Sequence, residues 1–151
     1  MTRSYNNLST DLLEGWTILV VDDQPAALEV IEDVLSYYGA QVVTAVNGQV
    51  GLEQAQAYHP KLIIADIDMP VMDGWTLIAR LKEDVHTQEI PVIALTAHAM
   101  KGDREKALGK GFHNYLSKPL DPLSFISQIL VLLEDLPPLF GELQRKLEGN
   151  G

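Results

Sequence analysis

The chain has 151 residues, 46% of them hydrophobic, which predicts one packed domain with a modest extension and argues against disorder. It contains no cysteine, which excludes disulfides, thiolate zinc sites and a cysteine nucleophile. The net charge of −10 would repel phosphate backbones, so we expect no binding to nucleic acid.

No apolar run approaches the roughly 20 residues that a membrane-spanning helix needs. The first seven residues also lack the apolar segment of a secretory signal. These two observations predict a cytoplasmic protein that does not bind a membrane.

Short apolar runs alternate along the chain with longer segments of helical periodicity. Strands are predicted at 17–21, 41–45, 61–65, 91–95 and 112–116, because these runs are continuously apolar, as in strands covered on both faces. Helices are predicted at 25–37, 48–58, from 74 through 81, 99–108 and 123–133. This alternation predicts an α/β fold, a doubly wound parallel sheet of five strands with helices on both faces.

Polar side chains follow the predicted strands where each strand ends. Asp66 follows the third apolar run, and the pair Asp22 and Asp23 follows the first. Thr96 closes the fourth run, and Lys118 comes directly after the fifth. Ligands of open α/β sheets collect at the carboxyl ends of the strands. The carboxyl ends of the predicted strands thus carry three carboxylates, a hydroxyl and an ammonium. This combination predicts a site that binds a hard cation together with an anion.

Each of these residues also has a simpler interpretation when it is taken alone. Asp22 and Asp23 could cap the helix that follows them, and Lys118 could be a surface lysine. Three carboxylates in one place, however, repel each other unless a cation lies between them. Mg²⁺ prefers oxygen ligands, usually one or two carboxylates with water and phosphate oxygens.

The residues resemble the receiver domain of two-component response regulators, of the chemotaxis Y protein type. The matching segments are Val20-Val21-Asp22-Asp23, Asp66-Ile67-Asp68-Met69-Pro70-Val71-Met72-Asp73-Gly74, Leu95-Thr96-Ala97 and Tyr115-Leu116-Ser117-Lys118-Pro119. The resemblance spans about residues 16 to 135 and implies the flavodoxin-like strand order 2-1-3-4-5. It also implies that Asp66 accepts a phosphoryl group from a phosphohistidine on a histidine kinase or a histidine phosphotransfer protein.

The same resemblance assigns roles to the remaining site residues. It implies that Asp23 and Asp66 bind Mg²⁺ (or Mn²⁺) directly, with Asp22 acting through water and Asp68 through its backbone carbonyl. Lys118 and Thr96 would stabilise the phosphoryl oxygens, and the phosphoryl group would draw the loop of Thr96 inward with Tyr115 behind it. The responding face would be the fourth helix, fifth strand and fifth helix. The bond before Pro119 is expected to be cis.

His98 is a detail of this particular chain. It lies two residues after Thr96, at the mouth of the expected site. In the family, this position and that of Asp68, two residues past the acceptor, tune the water that hydrolyses the phosphoryl group. An imidazole that faces the Asp68 carboxylate is therefore predicted to affect the phosphoryl lifetime.

The chain is predicted to divide into a polar leader at 1–15, a receiver domain at 16–135 and a short extension at 136–151. The extension is too short for an output domain, so we expect a stand-alone regulator of an unknown downstream protein, as a monomer or weak dimer. Leu139, Phe140, Leu143 and Leu147 form an apolar stripe at helical spacing. That helix could lie on its own domain or bind a partner.

Two other classes of function remain open from the sequence. One is an interaction module that does not use phosphate, although the acids, Thr96 and Lys118 argue against it. The other is a haloacid-dehalogenase-like phosphatase, because Asp66-Ile67-Asp68 matches its Asp-x-Asp nucleophile. Those enzymes carry that motif after the first strand and need a cap, which this chain does not provide. We therefore expect a phosphoacceptor signalling domain and not an enzyme.

Overall fold

The computed structural model describes residues 5, 7–97 and 102–149. Within these residues the strands are β1 (Thr17–Val21), β2 (Gln41–Ala45), β3 (Leu62–Asp66), β4 (Val92–Thr96) and β5 (Asn114–Ser117). The helices are α1 (Pro25–Tyr37), α2 (Gly48–Tyr58), α3 (Gly74–Glu83), α4 (Asp103–Gly109), α5 (Pro122–Leu133) and α6 (Pro137–Gly149). In this part of the chain no helix combines the length and the apolar character that crossing a membrane requires.

The five described strands form one parallel sheet in the order β2-β1-β3-β4-β5, which confirms the predicted doubly wound fold and its strand order. The bounds of β1, β2, α1 and α2 agree with the predicted ones. β5 begins two residues later than predicted, because Phe112 donates a backbone hydrogen bond to Ala107 and so belongs to the end of α4. The predicted start of α4 at residue 99 and the preceding His98 lie outside the described residues.

The sheet divides the core into two apolar clusters, because successive side chains of each strand point to opposite faces. Ile18 and Val20 of β1 pack on the side of α1, α5 and α6. Leu19 and Val21 pack on the other side, against α2, α3 and α4. Burial on both faces explains why the strands are continuously apolar in sequence, and it leaves their carboxyl ends as the place where polar side chains can project.

The segments outside the predicted receiver region meet at the amino ends of the strands. Leu12 and Leu13 lie in the core although their segment was predicted to be a polar leader, since both belong to the apolar cluster on the α1, α5 and α6 side of the sheet. Phe140 and Leu143 of α6 are buried in the same cluster. Lys146 of α6 donates to the carbonyl oxygens of the 11–14 turn, at 2.7 Å from Asp11 and 3.3 Å from Glu14. The apolar stripe of α6 therefore lies on its own domain.

Candidate functional site

Three carboxylates meet at the carboxyl ends of β1 and β3. These strands are neighbours, and Val21 lies opposite Ala65, so the next residues, Asp22 and Asp66, emerge side by side. Asp22 is fully buried and Asp66 is 4% exposed, whereas Asp23 is open to solvent. Oxygen atoms of the three side chains lie within 4.8 Å of one another. The structure thus brings together the three acids that the sequence predicted at one site.

Lys118 extends from the loop after β5 into this group of acids. Its Nζ lies 2.7 Å from Asp22 Oδ2 and 3.1 Å from Asp66 Oδ2. Its backbone N–H donates to the carbonyl of Thr96 at 2.8 Å, which joins its loop to the end of β4, and the bond from Lys118 to Pro119 is cis. The ammonium contacts two of the three carboxylates, so one positive charge is set against three acids and the site has an excess of negative charge.

The ionisation of Asp66 and Lys118 reflects this crowding. Burial raises the pKa of the Asp66 carboxyl and the charge of Asp22 raises it further, and these effects exceed the opposite influence of Lys118 and of the Asp68 N–H. Burial lowers the pKa of Lys118, but its hydrogen bonds and charge interactions with Asp22 and Asp66 outweigh burial and raise that pKa above its usual value. The interactions of Lys118 with the two acids favour its ammonium form, whereas burial and the charge of Asp22 penalise the carboxylate form of Asp66, a penalty that a further cation would relieve.

The donor atoms of the site fit a hard divalent cation. All the side-chain ligands offered are carboxylate oxygens, as Mg²⁺ and Mn²⁺ prefer. Although Lys118 contacts Asp22 Oδ2, this buried oxygen accepts no hydrogen bond of acceptable geometry from the described residues. Buried polar atoms normally have a hydrogen-bond partner, so an oxygen left in this state is a fitting acceptor for an ordered water or an ion.

Helix capping does not account for the acid pair. The residue that caps α1 is Gln24, and its side chain makes no hydrogen bond to the helix. Asp22 Oδ1 accepts the backbone N–H of Gln24 at 2.9 Å, which orders the turn but leaves Oδ2 unused. Among the described residues, the exposed Asp23 accepts no N–H of α1. Capping therefore explains one of the four oxygens.

The loop after β3 packs directly against the backbone of Asp66. Asp66 Oδ1 accepts the backbone N–H of Asp68 at 3.1 Å, which orients the carboxylate. Asp73 caps α3 through the N–H of Thr76 at 2.8 Å. A Cβ on Gly74 would lie only 2.7 Å from the backbone oxygen of Asp66, so this close approach requires glycine. The Pro-Gly loop seen in sequence is therefore the support that presents Asp66.

Thr96 and Tyr115 lie beside this site, along an adjoining cleft. Thr96 is 5% exposed at the end of β4, and Tyr115 is half-buried in β5. The cleft has a volume of 240 Å³ and is lined by Ile67, Asp68, Trp75, Thr96, Asp103, Lys106, Ala107 and Tyr115. Lys106 Nζ stands 4.5 Å from the centre of the Trp75 ring, which ties α4 to α3 across the cleft. His98 lies outside the described residues, so its predicted place near Asp68 stays a prediction.

Gln24 is a site residue that sequence reasoning missed. Its Oε1 accepts a hydrogen bond from Lys118 Nζ at 2.9 Å, so the ammonium contacts Asp22, Asp66 and Gln24 at once. Glutamine has no chemistry of its own that would mark it in a sequence. Its position directly after the acid pair is the only available signal, and that signal does not say which way the side chain points.

Comparison with known proteins identifies the class of this fold and site. The family model of the response regulator receiver domain matches residues 18–130. The chain belongs to the response regulator receiver domain family, whose members are parts of two-component signalling systems.

Two relatives in sequence cover nearly the same region. An "Uncharacterized 14.6 kDa protein in sodA1 3'region" of Leptolyngbya boryana is 41% identical over 121 residues, which are 80% of this chain and 92% of that protein. The polar-differentiation response regulator DivK of Brucella ovis is 34% identical over 119 residues, covering 79% of this chain and 97% of DivK.

Solved structures resemble the same region. The chemotaxis response regulator CheY4 of Vibrio cholerae aligns with a TM-score of 0.73 at 25% identity, covering 78% of this chain and 98% of CheY4. The receiver domain of the sensor histidine kinase PA1611 from Pseudomonas aeruginosa PAO1 aligns with a TM-score of 0.69 at 30% identity, covering 89% of this chain and 98% of that domain. The PA1611 structure contains a magnesium ion coordinated in its active site cleft.

Proposed function

We infer that this receiver domain accepts a phosphoryl group on Asp66 in a reaction that depends on Mg²⁺. The observation that carries the proposal is the setting of the Asp66 carboxylate. It is buried at the end of β3, held by Lys118 Nζ and the Asp68 N–H at 3.1 Å each, and adjoins Asp22 and Asp23. A fixed, nearly desolvated carboxylate that is accessible along one direction is suited to act as a nucleophile towards phosphorus.

The donor in this proposal is a phosphohistidine of a histidine kinase or histidine phosphotransfer protein. An Asp66 oxygen forms the new O–P bond while the N–P bond of the donor breaks, and the electron pair of that bond stays on the donor imidazole. The transferred group carries negative charge on its three equatorial oxygens. In the proposal Lys118 stabilises one of these oxygens, and the hydroxyl of Thr96, at the adjacent strand end, stabilises another.

Asp22, Asp23 and Asp66, with the backbone carbonyl of Asp68, would hold the metal ion. When bound, Mg²⁺ would balance the negative charges of the three acids and of the phosphoryl group. The magnesium ion in the PA1611 receiver structure supports this proposal for Asp22, Asp23 and Asp66. Asp68 and His98 are proposed to tune later hydrolysis.

We propose that phosphorylation acts on a downstream protein through the face formed by α4, β5 and α5. The 240 Å³ cleft beside Thr96 supports this, because it offers space into which the half-buried Tyr115 ring can turn. A phosphoryl group that binds Thr96 would favour the inward arrangement, and the outer face would change with it.

The test of the phosphoacceptor uses a phosphohistidine donor and compares two matched variants. Asp66→Asn should abolish acid-stable but base-labile labelling while the far-ultraviolet circular dichroism stays that of the wild type. Asp68→Asn, an equal change two residues away on an exposed side chain, should still accept the label. Label retained in Asp66→Asn would overturn the assignment.

Incubation with acetyl phosphate and Mg²⁺ separates the proposal from the other two classes of function. A receiver gains the mass of one phosphoryl group on Asp66 and loses it slowly. A phosphatase would release inorganic phosphate continuously without a lasting adduct, and an adaptor would show neither the adduct nor the phosphate.

A further inference from the structure

The opposite end of the sheet carries a cluster of two histidines and an aspartate that the proposed phosphoryl chemistry does not use. His59 ends α2, and Asp84 and His86 lie in the turn that follows α3. The imidazole rings of His59 and His86 stand 6.5 Å apart between their centres, at 68° to each other. Both rings are exposed, so solvent and ions reach them freely.

Asp84 is fixed between the elements that carry the two histidines. Its Oδ1 accepts the backbone N–H of His86 at 2.9 Å, and its Oδ2 accepts the side-chain N–H of Gln56 of α2 at 3.2 Å. The His86 N–H lowers the pKa of the Asp84 carboxyl, and the Gln56 amide and the charges of both imidazoles lower it further. The Asp84 side chain thus links α2, through Gln56, to the turn that carries His86.

The turn that holds Asp84 and His86 is rigid. The carbonyl of Asp84 accepts the N–H groups of Thr87 at 3.1 Å and Gln88 at 2.8 Å. Thr87 is 1% exposed, and its hydroxyl donates to the carbonyl of Leu81 at 2.7 Å. His59 has a left-handed backbone, with φ of 47°, which is uncommon for a residue other than glycine. The backbone positions of the three side chains are therefore set before any ligand arrives.

From this juxtaposition we propose that His59, Asp84 and His86 form a binding site for a zinc ion, with water as the fourth ligand. Two imidazoles and a carboxylate suit Zn²⁺ and related transition metals, whereas Mg²⁺ and Ca²⁺ prefer oxygen ligands alone. Two imidazoles on one tetrahedral zinc would have ring centres about 5 Å apart, given Zn–N distances of about 2.0–2.1 Å. Both rings are exposed, so zinc binding would require rotation of their side chains to bring the ring centres from 6.5 Å to about that distance.

The zinc site is independent of the acidic site around Asp66. His59 precedes β3 and the Asp84 turn precedes β4, so both lie at the amino ends of the strands. Asp66 ends β3, whose five residues span about 16 Å. Among the described residues the acids Asp22, Asp23 and Asp66 alone have their ligand atoms within 4.8 Å already, and they are the site that Mg²⁺ should occupy first.

The test is calorimetric titration of the full chain with Zn²⁺ in saturating Mg²⁺, which blocks the acidic site. We expect one zinc site, weakened roughly tenfold or more in His59→Gln and in His86→Gln. Asp84→Asn, which keeps an acceptor for the His86 N–H, should also weaken it. The control is His113→Gln, which removes an imidazole that contacts Asp135 and the carbonyl of Leu132 instead.

Imidazole resonances provide a second measurement that does not depend on affinity. In the wild type, Zn²⁺ should shift the ring signals of His59 and His86 and leave those of His113 in place. The proposal would be overturned by any of three results. Zinc affinity could be equal in the wild type and both histidine variants, His113→Gln could lose as much zinc affinity as those variants, or zinc could fail to bind once Mg²⁺ is present. Unchanged affinity in Asp84→Asn would overturn the role of the carboxylate.

Discussion

Gln24 accepts a hydrogen bond from Lys118 across 94 residues of chain, with 2.9 Å between Oε1 and Nζ. The same ammonium lies 3.1 Å from Asp66 Oδ2 and 2.7 Å from Asp22 Oδ2. A lysine ammonium has three N–H donors; Gln24 and Asp66 accept two of them, and Asp22 Oδ2 makes a close ion-pair contact on the remaining side. A phosphoryl oxygen that needs Lys118 must therefore take a donor from one of these neighbours, and Gln24 is the uncharged one.

The first prediction concerns this competition. Gln24→Met removes the acceptor but keeps the length of the side chain, so an N–H of Lys118 becomes free for the phosphoryl group. We expect phosphorylation by a small phosphodonor to become severalfold faster, and Gln24→Glu, which holds the ammonium more tightly, to make it slower. The measurement is the rate of adduct formation in saturating Mg²⁺. Equal rates in the three proteins would show that Gln24 does not restrain Lys118.

The second prediction concerns the charge of Asp66 in the absence of metal. Because the folded-state pKa of Asp66 is raised, the folded protein binds its proton more tightly than the unfolded chain does. The free energy of unfolding should therefore fall as pH rises from the unfolded value of 3.8 through the folded pKa, and stay lower above it. Asp66→Asn should remove this loss, so the variant is more stable than the wild type at pH 7 in a metal chelator.

Measurements at low pH provide the control for the stabilising effect of Asp66→Asn. Below the unfolded pKa of Asp66 the side chain is neutral in both states, so the advantage of Asp66→Asn should disappear there. Urea unfolding at several pH values measures the difference in the free energy of unfolding between Asp66→Asn and the wild type. An advantage of the same size at every pH would point to repacking of the side chain instead of removal of a charge.

The third prediction is that Mg²⁺ stabilises the fold through the acid group. At a concentration 100 times its Kd, a ligand that binds only the native state adds about 2.7 kcal/mol to the free energy of unfolding. Asp23→Asn should lose most of this gain at the same Mg²⁺ concentration, and Asp22→Asn should lose less. Asp121→Asn, an equal change at the cap of α5, should keep all of it. Thermal unfolding with and without Mg²⁺ gives the comparison, and an equal gain in all four proteins would contradict the acid site.

The fourth prediction concerns the attachment of α6. Leu143 is completely buried, so Leu143→Ala should lower the free energy of unfolding by about 3 kcal/mol. Leu123 is 92% exposed at the start of α5, and the same change there should stay within about 0.5 kcal/mol. Urea unfolding measures both. Similar small losses in the two variants would mean that α6 is not held on the domain in solution.

Much of the fold could be predicted because its signals are local. A strand buried on both faces must be apolar throughout, so the polar residue that ends it is visible in sequence, as at Asp66 and Thr96. Pro25 begins α1 and the residue after Tyr37 ends it, in agreement with the apolar periodicity. The parallel sheet then brings the strand ends together, so the acid group followed from the element order.

The rest depends on contacts that no local pattern contains. The stripe of α6 showed that Leu143 needs an apolar neighbour, but the neighbour could have been another molecule. Leu12 and Leu13 are too few to form a recognisable period, and they are buried in a cluster assembled from segments distant in sequence. The direction of the Gln24 side chain and the approach of His59 to His86 are likewise products of tertiary packing.

The two tryptophans lie at opposite ends of the sheet, so their intrinsic fluorescence can report on each end separately. Trp75 lines the cleft beside Thr96 and Tyr115, under the charge of Lys106. Trp16 is 3% exposed at the other end, with Lys61 Nζ 5.2 Å from its ring. A Trp16→Phe variant keeps Trp75, so its emission would report rearrangement of the cleft beside Thr96. A Trp75→Phe variant keeps Trp16, so its emission would report release of α6. Fluorescence of the two variants therefore separates a change at the carboxyl ends of the strands from loosening of the fold at their amino ends.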